Sequence, residues 1–388
     1  LARHYQPYQP PRVVGITGTD GKTSTAYLLA QARQVLHQQA LGGACAYMGT
    51  LGYGLPNALA PATHTTPEAV AVHSWLREFV AQGISEVAME VSSHALHQHR
   101  VSGVPFDVAV LTNITRDHLD YHGTREAYVA AKKQLFVEAT PRITVLNSDD
   151  PTAQQWLAEL PHAITYGFGA AVSQHAYIRC ASLQPSTRGL TLTLDTAWGQ
   201  AELQSALLGR FNAYNLMAAL AVLLAQGVSF ASALHALEQA PTVPGRMEAY
   251  FGNQSHTGKL AVVDYAHTPD ALKSALQALR PHTSGKLWVV FGCGGDRDAG
   301  KRPLMAAAAA QFADTLILTD DNPRSEDPAA IMSHMLAGVP AATTHTVIHD
   351  RANAIKTAIM QAQAGDVILV AGKGHETTQT VGKTILPF

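Results

Sequence analysis

The stretch Gly15-Ile-Thr-Gly18-Thr-Asp-Gly21-Lys22-Thr23-Ser24-Thr25 joins a β-rich run, Arg12 to Thr17, to a helical run that begins near Lys22. A glycine-rich turn feeding a helix N-terminus aims backbone N–H groups and the positive end of the helix dipole at one spot. Here a lysine ammonium and a hydroxyl suited to Mg²⁺ arrive at the same spot. Those are the parts that hold the phosphates of a nucleoside triphosphate. The spacing is a variant one: a strict Gly-x4-Gly-Lys loop places glycine at position 16, where Ile16 stands, and glycines occupy 15 and 18 instead.

On either side of this loop, short apolar strands alternate with amphipathic helices. Strands are expected at 13–17, 87–90, 108–113 and 143–147, and helices at 23–37, 68–82 and 126–138. That order predicts a parallel sheet covered by helices. From 176 to 208 the residues alternate in β fashion around the turn Pro185-Ser-Thr-Arg-Gly189, which predicts an antiparallel meander ahead of a helix over 213–225. A proline-rich hinge, Ala240-Pro-Thr-Val-Pro-Gly-Arg246, follows, and strand–helix alternation restarts at 260–265 and runs to 367–371. With 388 residues the chain exceeds the roughly 250–300 that one core supports. The expected fold class is therefore α/β, with a P-loop-type central domain of mainly parallel sheet over 1–240 and a C-terminal Rossmann-like domain over 241–388. Residues 1–11 read as a proline-stiffened linker from a preceding domain, and the abrupt close at Thr384-Ile-Leu-Pro-Phe388 reads as a second cut edge.

Apolar residues make up 47% of the chain, and 27 basic side chains face 29 acidic ones. This balance gives no electrostatic case for nucleic acid or an anionic membrane as partner. Cys45, Cys180 and Cys293 are odd in number and far apart, which suggests neither a disulfide framework nor a zinc cluster and fits a reducing cytoplasm. No apolar run is long enough to insert in a bilayer, and a monomer is expected.

The strand ends carry further chemistry, as open α/β sheets place ligands there. Met89-Glu90-Val-Ser-Ser-His94 offers a carboxylate where Mg²⁺ would meet phosphate, although a lone glutamate at a strand end is ordinarily just solvated. Asn113-Ile-Thr-Arg-Asp117-His118-Leu-Asp120-Tyr-His122 ends the next strand with more metal-capable groups. Two such clusters beside one phosphate loop favour metal binding over coincidence.

Taken together with Gly209-Arg-Phe-Asn-Ala-Tyr-Asn215, Pro244-Gly-Arg246, Asp264-Tyr-Ala-His-Thr-Pro-Asp, Gly292-Cys-Gly-Gly-Asp-Arg297, Asp321-Asn-Pro-Arg324 and Gly372-Lys-Gly-His-Glu376, these motifs resemble the Mur ligases, in order and over essentially the whole chain. Within that family the resemblance is nearest to members that add the third peptide residue to a UDP-N-acetylmuramoyl-dipeptide. It implies an ATP-driven amide ligation in peptidoglycan synthesis, with ATP and Mg²⁺ required: the γ-phosphate passes to a carboxylate, and an amine attacks the resulting acyl phosphate. By the same resemblance ATP is held by Gly18, Thr19, Asp20, Gly21, Lys22, Thr23, Ser24 and Asn113, with Asn215, Arg246 and Asp264 on the adenine and ribose side. Thr23 and Glu90 bind one magnesium, and His118 helps to bind a second. Lys132 stands where the family carries a carbamylated lysine acting on the magnesium site, so Lys22, Glu90, His118 and Lys132 form the implied catalytic set. Read without the resemblance, Lys132 is an ordinary solvated helix residue, Arg246 a linker cation and Asp264 a strand-end cap.

The muramoyl-dipeptide and its sugar phosphate fall, by resemblance, to Thr65, Thr66, Ser92, Gln98 and Arg100. Asp321-Asn322-Pro323-Arg324 resembles the form found in ligases that add meso-diaminopimelate. A planar guanidinium grips that substrate's distal carboxylate bidentately, where L-lysine would present a repelling ammonium. Arg297, Gly372 and Glu376 complete the implied pocket. Two departures stand out. Asp20 replaces the family's usual asparagine and is expected to point outward, and no counterpart of the domain that binds uridine diphosphate is recognised. Folylpolyglutamate synthases share the phosphate loop and the two-domain plan, which leaves them, an L-lysine-adding homologue and a non-ligating ATP-binding subunit as alternatives.

Overall fold

After Arg12, every residue of the strand Arg12–Thr17 is buried, the pattern of a strand covered on both faces. The computed structural model describes residues 9–171, 174–251 and 258–388, so all but the last three residues of the expected linker at 1–11 lie outside the described residues. The chain divides into two compact units with its main boundary between Pro241 and Thr242, the short pieces 184–190 and 206–210 grouping with the second.

In chain order the first sheet comprises β1 (Arg12–Thr17), β2 (Cys45–Gly49), β3 (Gly52–Leu55), β4 (Ala58–Ala60), β5 (Glu86–Glu90), β6 (Phe106–Leu111), β7 (Ile143–Asn147), β8 (Ile164–Gly167), β9 (Ala176–Ser186), β10 (Gly189–Thr196) and β11 (Gly199–Ser205). Their lateral order is β11-β10-β9-β8-β7-β6-β1-β5-β2-β3-β4. β1 lies between β5 and β6, parallel to both, and the parallel run extends from β2 to β9. Only antiparallel strands can be joined by the two residues between β9 and β10, as the meander requires. The antiparallel edge formed by β3 and β4 is absent from the sequence reading, because strands of three or four residues carry too few alternations to register.

The helices of this unit are α1 (Lys22–Gln38), α2 (Ala69–Ala81), α3 (Ser93–His97), α4 (Leu119–His122), α5 (Arg125–Val137), α6 (Pro151–Trp156), α7 (Arg210–Ala225) and α8 (Phe230–Glu238). Ser92, Thr124 and Asp150 cap α3, α5 and α6 with side-chain oxygens. α1 differs: its N-cap is Gly21 at φ 81°, with no side-chain cap. The first turn of α1 therefore takes no hydrogen bond from an N-cap side chain.

The second unit holds β12 (Glu248–Phe251), β13 (Leu260–Asp264), β14 (Leu287–Phe291), β15 (Thr315–Leu318), β16 (His345–Val347) and β17 (Val367–Ala371), ordered β12-β13-β17-β14-β15-β16. All neighbours are parallel except β12 and β13. Its helices are α9 (Pro269–Leu279), α10 (Lys301–Phe312), α11 (Pro328–Leu336) and α12 (Arg351–Gln361). Along β14, Val289 and Phe291 enter one core and Trp288 and Val290 another, so this Rossmann-like sheet is buried on both sides. A hairpin, β18 (Thr378–Val381) and β19 (Thr384–Pro387), closes the chain.

Candidate active site

The loop between β1 and α1 is shaped by close contact. Gly18 has φ 149°, and a Cβ there would lie 1.9 Å from Thr112 Oγ1; a Cβ at Gly21 would lie 2.7 Å from Asn215 Oδ1. Larger residues are excluded by the strand end and helix packed beneath. Asn113, just past the end of β6, grips the loop: its Oδ1 accepts from Asp20 N at 3.0 Å, its Nδ2 donates to Asp20 O at 3.1 Å, and its carbonyl accepts from Thr19 N at 2.8 Å. The Asp20 residue is exposed. Lys22 Nζ donates to Gly18 O at 2.9 Å and Thr19 O at 2.8 Å, which holds the ammonium over its own loop. Ser24 follows in the first turn of α1. Asn215 braces the loop from behind, its Oδ1 accepting from Thr25 Oγ1 at 3.1 Å and its Nδ2 donating to Asn212 Oδ1 at 2.8 Å.

Thr23 and Glu90 do meet. Thr23 Oγ1 donates to Glu90 Oε2 at 2.9 Å, and the buried carboxylate also accepts from Thr50 N at 2.9 Å and from the Tyr47 hydroxyl. One hydroxyl and one carboxylate suit a magnesium ion that arrives with phosphate and keeps most of its oxygen ligands from elsewhere. Among the described residues no group of three or more His, Cys, Asp or Glu could cage a metal unaided, so the fit is to this shared kind of site. His118 takes φ 51°, its Nε2 lying 3.4 Å from Asp117 Oδ2 and its ring 4.7 Å from His94 in a cluster with Tyr121 and His122. Partial burial and the neighbouring imidazoles hold His94 and His122 below the usual histidine range. Tyr128 links cluster and loop: its ring lies 6.3 Å from that of His118 and its hydroxyl 2.9 Å from Thr19 Oγ1.

Lys132 corrects the solvated-helix reading. It is 1% exposed, its Nζ donates to Gly18 O at 2.7 Å, and it lies 4.7 Å from the centroid of the Tyr128 ring. Burial pushes its amine well below the usual lysine range, and the nearby Lys22 ammonium pushes it the same way.

The residues expected to hold the muramoyl-dipeptide are adjacent. Thr65 Oγ1 lies 3.1 Å from Thr50 Oγ1, and Thr66 Oγ1 donates to Glu90 O at 2.8 Å while accepting from Ser92 N at 3.0 Å. Arg100 donates to Thr66 O at 3.1 Å and to Gln98 Oε1 at 2.8 Å, and pairs with Glu68.

In the second unit, buried Asp264 accepts from Met247 N and Ala266 N, each at 2.9 Å. Burial nevertheless raises its carboxyl above the usual range. Arg246 stacks over Tyr265 at 5.3 Å. Asn322 Nδ2 lies 3.5 Å from Glu376 Oε2, and Gly372, at φ 112°, brings its backbone so close to Asp321 that a Cβ would fall 2.8 Å from Oδ2. Arg324 takes φ 54° and donates to Gly295 O at 2.8 Å. Arg297 is exposed, on a turn whose next-door Asp296 accepts from Ser325 Oγ at 2.6 Å.

Residues 16–223 match the Mur ligase middle domain, and residues 245–374 match the Mur ligase glutamate ligase domain. The chain belongs to the Mur ligase family. A UDP-N-acetylmuramoyl-L-alanyl-D-glutamate--2,6-diaminopimelate ligase of Alkalilimnicola ehrlichii is 49% identical over 97% of this chain and 74% of its own length. An enzyme of the same name from Coxiella burnetii is 46% identical over 100% of this chain and 78% of its own. A solved structure under that name is 40% identical with a TM-score of 0.77, covering 100% of this Mur ligase chain and 78% of the other. Sequence reasoning missed Tyr47, Tyr128 and Lys373 in this Mur ligase. Tyr128 stands four residues before Lys132, on the same helix face, and Lys373 lies inside the Gly372–Glu376 motif, so spacing carried a signal in both cases.

Proposed function

We propose that this chain is an ATP-dependent ligase that joins meso-diaminopimelate to UDP-N-acetylmuramoyl-L-alanyl-D-glutamate in peptidoglycan synthesis. A carboxylate oxygen of the glutamyl residue attacks the γ-phosphorus of ATP, ADP departs, and the amino acid's amine attacks the acyl carbon of the mixed anhydride. The tetrahedral intermediate then collapses to the amide and inorganic phosphate. Lys22 and the positive end of the α1 dipole neutralise phosphate charge. Thr23 and Glu90 would hold Mg²⁺, which when bound supplies further charge neutralisation at the phosphates.

Lys132 is read as carbamylated. A buried amine with a depressed pKa is nucleophilic near neutrality and can form an N–C bond to CO₂ with release of a proton, which turns a neutral amine beside the loop into an anion. In the second unit Arg324, Arg297, Asn322 and Glu376 are read as the groups that select diaminopimelate, and Arg246 and Asp264 as groups on the nucleoside side. The cytoplasm is the proposed compartment, in keeping with three buried free thiols and the absence, among the described residues, of any helix long and apolar enough to cross a membrane.

The observation that carries this reading is a built phosphate loop, with Lys132 and the Thr23–Glu90 pair in place, in a chain that also presents the Asp321–Arg324 arginine loop. The test is phosphate release from ATP and Mg²⁺ with UDP-N-acetylmuramoyl-L-alanyl-D-glutamate, comparing meso-diaminopimelate with L-lysine, on this chain and on a fusion carrying the front domain that the resemblance implies. Release dependent on diaminopimelate is expected; release indifferent to the amino acid would overturn the assignment.

A further inference from the structure

Lys373 is 2% exposed, yet its ammonium is surrounded by polar groups. Nζ donates to Asn322 Oδ1 and to Thr378 O, each at 2.7 Å, and lies 3.6 Å from Asp321 Oδ1 and 3.5 Å from Glu376 Oε2. It therefore touches Asp321, Asn322 and Glu376 at once, three residues of the proposed amino-acid pocket. The second donor to Asn322 Oδ1 is Thr380 N, at 2.9 Å. Strand β18, which supplies it, also bonds to Arg324, whose N–H donates to Thr380 O at 3.2 Å and whose carbonyl accepts from Gly382 N at 2.7 Å. Gln379 Nε2 donates to Asp321 O.

These contacts settle which way the Asn322 amide faces. An ammonium and a backbone N–H have protons and no acceptor, so the oxygen must stand between them; a flipped amide would set its NH₂ against two donors. The NH₂ is left on the side of Glu376, which is only partly buried. We propose that Lys373 is a positioning residue for the amino-acid substrate, fixing Asn322 so that its NH₂ is presented as a donor to a substrate carboxylate beside the Glu376 acceptor that meets the substrate ammonium. This rests on the reading of the Asp321–Arg324 loop as the amino-acid pocket. It adds a part that does not itself touch substrate: the lysine and β18 together decide the polarity of the pocket wall.

The experiment is steady-state kinetics of K373M, N322A and the double variant, with thermal melting of each. N322A raises the KM for diaminopimelate about tenfold, the loss of one charge-assisted hydrogen bond. K373M is expected to raise the same KM to a similar extent with the KM for ATP unchanged, and the double variant to be little worse than either single one, because the lysine acts through the asparagine. Additive effects, or a K373M enzyme within twofold of the parent, would overturn the proposal while leaving the pocket reading intact. An N322A enzyme with unchanged KM would overturn both. Should K373M fail to fold, N322D decides, since it keeps the oxygen held by Lys373 and Thr380 N but has no NH₂. A raised KM for diaminopimelate at unchanged melting temperature supports the proposal, and an unchanged KM removes it.

Discussion

Each unit buries one lysine beside its candidate site, and the two are treated in opposite ways. Lys132 donates to a neutral carbonyl, Gly18 O, with a tyrosine face nearby and another lysine in its field. Lys373 is set among an amide oxygen, a carbonyl and two carboxylates. A buried cation costs several kcal/mol unless it is paired. Burial and the Lys22 cation push the first lysine toward the neutral amine that is ready for chemistry, whereas the second lies among carboxylates and hydrogen-bond acceptors and is a fixture of the wall. What separates a reactive lysine from a structural one is the set of neighbours, since both are equally hidden from water.

The largest expected effect tests the reactive side. Lys132→Met should lower diaminopimelate-dependent phosphate release by about 10²–10³-fold, the usual loss when a preorganised charged group is removed from a transition state. Bicarbonate should raise the parent's rate after CO₂ depletion and leave the variant's unchanged. Next comes the selective side: Arg324→Ala should raise the KM for diaminopimelate roughly 10–100-fold, as loss of a charged hydrogen-bonding partner implies, with the KM for ATP unaltered. Equal effects on both substrates would remove the contrast between the units.

Stability should then split the two lysines. The Lys132 amine has a folded-state pKa below its unfolded one, so between those values the unfolded chain binds more protons, stability rises with pH, and at neutrality the residue is a net cost. In CO₂-depleted protein, where Lys132 is the free amine, Lys132→Met should therefore melt higher, because the methionine side chain has no proton to lose on folding. Lys373→Met should melt lower by roughly 1–3 kcal/mol, because it strands Asn322 Oδ1 and two carboxylates. Melting temperatures that move in the same direction would break the comparison.

The smallest effect extends the logic to a third buried group. His282 Nδ1 donates to Ser186 O at 2.6 Å and Nε2 accepts from Gly209 N at 2.9 Å, which requires a neutral ring, and burial lowers its pKa from 6.5. The stability it contributes is fully present above 6.5 and is lost as pH falls from there toward its folded-state pKa. His282→Gln should flatten a slope of about 1 kcal/mol in the acid limb of a melting-temperature profile.

Much of this was legible in one dimension. The alternation that places β1, β5, β6 and β7 comes from local periodicity, and Ile143–Asn147 and Val367–Ala371 have the bounds that their apolar runs predict. The phosphate loop was legible because its glycines, lysine and threonine are consecutive and act through their own backbone. Lys132 was misread from exposure alone, because whether a helix position faces water depends on what the helix packs against, and here that is Gly18, 114 residues away in the chain. The β18–β19 hairpin was missed because its contacts are to Asp321, Asn322 and Arg324, more than fifty residues earlier.

The sequence by itself determined the strand–helix order, the glycines the phosphate loop needs, and the residue types from which each site is built, since these rest on local periodicity and local stereochemistry. Tertiary structure alone decided that burial pushes the Lys132 amine below the usual lysine range, that Thr23 meets Glu90, and which face of Asn322 is offered outward. Charge state and hydrogen-bond polarity are set by distances of about 3 Å between groups far apart in the chain, and no local pattern records those distances.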